Sequence, residues 1–250
     1  MAAKKNTQKI LLALFTPERA MAPVLTQAQL RPVVAEMTDS GFRSLLMYLE
    51  KQNRIYKQRV FSQNSYGLTN QGREELNALF PALQSKWLTW DRNWMLLTFL
   101  EAPKSDPHFR YLRSLLLKER ALPLTRGVFI VPDTFTEETL RVCSTLYRGA
   151  VAIASVSEWQ MGVDNPFIND YYDLTPLAEV YSSISKECGL LLEADGAKKG
   201  LIKRDNNLVS SVFDRFADAL SSDVGLLSFY VPGVKPALKI QTVVQQILFL

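Results

Sequence analysis

One histidine and two cysteines are all that 250 residues hold of the side chains that most often bind transition metals or serve as nucleophile and base. Cys143 and Cys188 form no CxxC and no zinc spacing, which points to a reducing interior with free thiols rather than a disulfide framework. His108 lies beside Asp106 and Pro107 at the start of a helical segment, but no GxSxG elbow accompanies it, and pairing it with Cys143 is no better supported. No GxxxxGK[ST] or GxGxxG is present to cradle a phosphate. Asp170, Asp173 and Glu179 form an acidic group of the kind that caps helices or faces solvent. Long apolar runs are also missing. Nothing approaches the roughly 20 residues a membrane helix needs, and Ile10 to Phe15 is too short for the apolar region of a signal peptide. These absences read as a cytoplasmic binding protein, with no metal, no cofactor and no catalytic residue.

What is present is positive charge, unevenly placed. The net charge is only +4, yet residues 1–85 hold eleven Lys and Arg against six Asp and Glu, and the rest of the chain eighteen against nineteen. A cluster of one sign informs about partners where a modest total does not.

The stretch Thr38 to Gly72 lies inside that cluster. At 100° per residue Phe42, Leu45, Leu46 and Leu49 share one arc, the spacing of a helix packed on a core. Ser40, Arg43, Ser44, Met47 and Lys51 occupy the opposite arc. Thr38 or Asp39 suits the cap, and Gly41 leaves room for another surface to approach. Two strand-like pieces follow, Arg54 to Phe61 and Ser65 to Thr69, separated by a polar tip of Ser62, Gln63 and Asn64. Upstream, Leu25 to Met37 supplies a second helix, capped by Thr26 and divided or kinked at Pro32, and Asn6 to Phe15 a third. A helix pair followed by a basic hairpin is the order of a winged helix-turn-helix. It would span 1–85, with Asn70 to Leu83 leading out.

From Trp87 the pattern changes. A strand at Trp94 to Leu100, a helix at His108 to Leu122 and a strand at Leu124 to Val131 with a turn or bulge at Gly127 come first. A helix capped by Thr136 and a strand at Ala150 to Trp159 complete the order of a ferredoxin-like βαββαβ domain over 86–163. Beyond it, 164–250 reads as a helical C-terminal domain: helices at Leu174 to Cys188 and Val209 to Leu220, a polar loop at Asp195 to Asn207, and an apolar tail from Leu238 that needs cover. The fold class is α+β.

The segments FRSLLMYLEKQNRI and SYGLTNQGREEL around a basic wing, then WDRNWMLLTFLEAP, FRYLRSLLLKERALPLTRGVFIVP and YYDLTPLAEVY, together resemble the PaaX family, repressors of phenylacetate-degradation operons. The resemblance implies a homodimeric repressor on double-stranded operator DNA, released by an aromatic acyl-coenzyme A thioester. Ser40, Arg43, Ser44 and Met47 would then meet base edges, and Lys51, Lys57, Arg59, Gln63 and Asn64 phosphates or the minor groove. Such an effector needs cations and an apolar slot. Arg110, Arg113, Arg126, Lys198, Lys199, Lys203 and Arg204 are candidate cations, and Trp90, Trp94, Phe129 and Trp159 candidate walls. None is singled out. The family's central domain is similar to a small metal-dependent nuclease. In that alternative reading Glu101 and Asp91 would bind the metal, because Leu100 stands at the position of the nuclease's aspartate.

Overall fold

The computed structural model describes residues 2–17, 23–60, 62–100, 107–197 and 205–249. Helix α1 (Ala2–Ala13) starts ahead of the expected Asn6. Its Ile10, Leu11 and Leu14 are buried, as their helical spacing requires. A two-residue strand, β1 (Leu25–Thr26), ends at Thr26. The Thr26 hydroxyl accepts from Gln29 N at 3.3 Å while the Gln29 side chain accepts from Thr26 N at 3.0 Å, a reciprocal cap on α2 (Gln27–Leu30). Pro32 has no N–H for an α-helical bond, and the chain tightens to a 3-10 turn over Arg31–Val34. The helix expected through Met37 is divided there.

Thr38 and Thr69 repeat the device. The Thr38 hydroxyl accepts from Gly41 N at 3.2 Å to start α3 (Asp39–Lys51). The Thr69 hydroxyl accepts from Gly72 N at 3.0 Å to start α4 (Asn70–Leu79). Between them β2 (Ile55–Val60) and β3 (Gln63–Leu68) pair antiparallel, and β1 joins on the far side of β3.

The next segment alternates sheet and helix. In chain order come β4 (Trp94–Phe99), α5 (Pro107–Lys118), β5 (Leu122–Thr125), β6 (Val128–Pro132), α6 (Glu137–Leu146), β7 (Val151–Val156) and α7 (Asn165–Tyr171). The four strands form an antiparallel sheet in the order β5-β6-β4-β7. Leu97, Phe99, Phe129 and Val131 of the sheet bury against Phe109, Leu112 and Leu116 of α5 and Val142 and Cys143 of α6, so both helices cover one face. The stretch Leu124 to Val131, expected to be strand with a turn or bulge at Gly127, is a hairpin that turns at Arg126 and Gly127.

The rest is helical: α8 (Leu174–Ala197), α9 (Asn206–Ser222), α10 (Leu227–Tyr230) and α11 (Ala237–Gln246). Asp205 caps α9, its carboxylate accepting from Asn207 N at 2.9 Å and Leu208 N at 3.3 Å. Helix α8 continues to Ala197, so the expected loop at 195–207 shrinks at both ends, and Lys198, Lys199, Lys203 and Arg204 lie outside the described residues. Ile247 and Leu248 of the apolar tail are buried in their own chain.

The division into 1–85, 86–163 and 164–250 is redrawn. The chain forms two compact units: 1–87 together with 172–250, and 88–171. Polar contacts hold the first unit's distant pieces together. The Gln241 side chain donates to Leu12 O at 2.6 Å, and that of Gln245 to Ala13 O at 2.7 Å and Phe15 O at 3.1 Å. Ala13 O, at the end of α1, thus takes a partner from α11, and Leu12 O, which already accepts from Phe15 N at 3.1 Å, takes a second.

Mixed helix and antiparallel sheet make this an α+β protein. Among the described residues no helix is long and apolar enough to cross a membrane. Both cysteines are free and buried. Burial pushes the Cys188 thiol up to about 11, and burial, followed by the charge of Glu119, raises that of Cys143. A thiol reagent that attacks the thiolate should label neither cysteine within minutes at pH 8 and both in denaturant. Rapid labelling of the native chain would contradict this packing.

Candidate nucleic-acid interface

The amphipathic division of α3 is realised residue by residue. Phe42, Leu45, Leu46 and Leu49 are buried, while Ser40, Arg43, Ser44, Met47 and Lys51 are exposed. Met47 is 70% exposed, which places a flexible apolar side chain in water in the middle of a polar face. Such a side chain is suited to apolar contact with a thymine methyl, and serines and an arginine flank it.

The turn entering α3 is stapled by one guanidinium. Arg31 Nε pairs with Asp39 Oδ1 at 3.0 Å, and its terminal nitrogens donate to Val34 O at 2.8 Å and Met37 O at 2.5 Å. This contact ties the segment before α3 to its first turn and occupies the one acid there. At the other end of α3, Arg54 pairs with Glu75 of α4 at 2.7 Å and lies 5.8 Å from the Tyr48 ring centroid. These two arginines are therefore engaged in holding the helices. The outward cations are not: among the described residues Arg43, Lys51, Lys57 and Arg59 form no ion pair.

The hairpin supplies the second part. Lys57 and Arg59 are two apart on β2 and so point to one side, both exposed. Arg59 stands opposite Asn64, Val60 opposite Gln63. Gln63 and Asn64 are thus strand residues on β3, not the hairpin tip. Val60 and Gln63 are paired, and Ser62 between them takes φ 67°. Phe61 lies outside the described residues. Both polar side chains remain exposed beside Arg59.

Two of the candidate effector walls fall on opposite faces of the sheet. Phe129 lies in the core beneath α5 and α6, while Trp94 alternates to the other face of β4 and packs edge-on against Trp90 at 5.6 Å. Trp159 is half-buried, and its indole N–H has no partner among the described residues. Arg110, Arg113 and Arg126 are exposed. Asp91 accepts from Asn93 N at 3.0 Å, and Glu101 lies outside the described residues. Among the described residues no three of His, Cys, Asp and Glu gather as a metal site would require.

No family model and no curated protein matches this chain. A solved structure, that of the uncharacterized protein Rv0674 from Mycobacterium tuberculosis, is similar over 99% of this chain and 94% of that one, with a TM-score of 0.54 and 14% identity. At that identity the likeness is one of fold.

Proposed function

We propose that this chain is a sequence-specific, cytoplasmic DNA-binding regulator and not an enzyme. In this reading residues 1–85 form a winged helix-turn-helix and 88–171 a ferredoxin-like domain, and two copies bind a two-fold operator. The observation that carries the reading is the exposed face of α3. Among the described residues Ser40, Arg43, Ser44, Met47 and Lys51 stand clear of any internal ion pair, beside a hairpin with Lys57 and Arg59 equally unengaged. Water-facing cations with no acid partner suit phosphate oxygens, and short polar side chains with one methionine suit base edges. The resemblance in sequence supports the finer reading, a repressor of an aromatic-acid catabolic operon relieved by an aromatic acyl-coenzyme A.

The test is a salt titration of binding to the DNA upstream of the gene against random duplex, with and without phenylacetyl-coenzyme A. Specific, salt-sensitive binding released by the thioester is expected. Equal affinity for both duplexes would overturn the reading. Arg43→Ala should weaken specific binding by about 1–3 kcal/mol and leave non-specific binding little changed. Lys57→Ala should weaken all duplexes alike and lower the salt slope by about one.

A further inference from the structure

Four strands lie at the edges of the two sheets. Three are guarded against receiving another strand. β1 has two residues, β2 carries Lys57 and Arg59, and β5 contains Pro123 and slips register between Pro123 and Thr125. Shortness, charge, proline and bulges are the means by which sheets avoid adventitious pairing. β7 has none of them. Its sequence, Val-Ala-Ile-Ala-Ser-Val, is uncharged and free of proline, and it pairs with β4 in unbroken register from Val151 to Val156.

The free side of β7 is also the accessible one. Leu100 N donates to Ala150 O, so the even-numbered residues bond to β4 and the odd-numbered ones turn their N–H and C=O outward. The N–H of Val151 is taken by Tyr147 O at 3.3 Å. Those of Ile153 and Ser155 have no partner among the described residues. Ala152, Ala154 and Ser155 are exposed.

We propose that β7 is an interface with a second copy of this chain, the two strands pairing antiparallel about a two-fold axis at Ala154. Self-pairing is selected by charge. Arg148 precedes the strand and Glu158 follows it, both exposed and neither in an ion pair among the described residues. Antiparallel pairing brings the basic end of each copy to the acidic end of the other, and parallel pairing would set like charges together. Register follows from the free donors. With the axis at Ala154, Ile153 of each copy faces Ser155 of the other, and the engaged Val151 N–H is not required. The two small Ala154 side chains meet at the non-hydrogen-bonded position, where Cα atoms approach to about 4.5 Å. The joined strands make one eight-stranded sheet.

This inference deepens the dimer within the reading above, and it is tested without DNA so that the two can fail separately. Sedimentation equilibrium of the full chain should show a monomer–dimer equilibrium. Ser155→Pro removes only an outward N–H and spares the β4 ladder. It should raise the dimer dissociation constant at least tenfold while the circular dichroism spectrum stays native. Mild oxidation should link Ala154→Cys to itself, because that Cα separation lies in the disulfide range. Ala152→Cys, which would face Val156 of the other copy, should not cross-link. A monomer at every concentration, or a dimer indifferent to Ser155→Pro with no Ala154→Cys cross-link, would overturn the interface. Cross-linking through Ala152→Cys instead would overturn the register.

Discussion

Lys9→Ala is expected to cost about 3 kcal/mol of folding stability, more than a typical substitution of a lysine. The Lys9 side chain is 1% exposed, and its ammonium lies 3.0 Å from Glu36 Oε1, 3.3 Å from Asp214 Oδ2 and 3.0 Å from Ser210 Oγ. Removing it leaves Glu36 without its cation and Asp214 with only the more exposed Lys5, at 3.4 Å, and strips an aliphatic stem from a packed site. Both carboxylates keep some solvent, with side chains 51% and 33% exposed, so the low end of the range for a broken buried pair applies. Urea unfolding measures the cost. Lys9→Met retains the stem, so a loss as large as that of alanine would assign the effect to charge.

The same contact has a pH signature. Burial alone would push the Glu36 carboxyl up, but hydrogen bonds from its own backbone N–H, from Lys9 and from Ser210 outweigh it and hold the group below the usual carboxylate range. A carboxyl lowered in the folded state adds stability above its unfolded value, near 4.3, and loses it as pH falls through the folded value. Between pH 5 and pH 3 the native protein should therefore lose more stability than Lys9→Ala does. Parallel losses would disconnect Glu36 from Lys9.

Gly72→Ala should destabilise by about 3 kcal/mol, although α-helix propensity favours alanine by about 1 kcal/mol. A Cβ at Gly72 would lie 2.1 Å from the Arg54 carbonyl oxygen and 2.9 Å from Leu68 Cδ1. The oxygen cannot retreat freely, since Thr69 N bonds to it at 3.1 Å and Thr69 Oγ1 at 2.9 Å. Helix α4 must move off the root of the hairpin, which also tilts Lys57 and Arg59 relative to α3. Gly189→Ala is the control. Gly189 lies inside α8 with nothing within 4 Å of its added methyl, so the identical change should stabilise by about 1 kcal/mol. Thermal unfolding of the pair should give opposite signs. A stabilised Gly72→Ala would mean that α4 does not sit this close to Arg54.

The face of α3 was legible because a 3.6-residue period sorts thirteen residues into two arcs without reference to anything else. The caps at Thr26 and Thr136, and Thr38 beside Asp39, were legible for the same reason, since each acts within three residues of itself, whereas the cap at Thr69 was not singled out. Register was less so. Placing Gln63 and Asn64 in a tip rather than in β3 followed from their polarity, whereas a two-residue turn with Ser62 at φ 67° fits them into the strand. The break at Gly127 was legible, although with no Asn-Gly between the apolar flanks the sequence left turn and bulge open. Least legible was the joining of 172–250 to 1–87. It depends on Lys9, Ser210, Gln241 and Gln245, polar residues that a periodicity reading assigns to the surface and that the structure buries. The candidate interface was readable as a set of exposed residues; that its cations are unengaged while Arg31 and Arg54 are not required the fold.

The glutamine contacts to α1 bear on how the chain is made. Gln241 closes the end of a helix 229 residues earlier, and Gln245 does so at 232. Both glutamines are made after α3, the hairpin and α9, so their contacts with α1 can form only once those elements exist. Contacts of such sequence separation also slow folding, because a long loop must be closed before they form. A chain released before Gln241 would carry α1 without these side-chain contacts to its last carbonyls. The seam between α1 and α11 thus closes only after every element between them has been made.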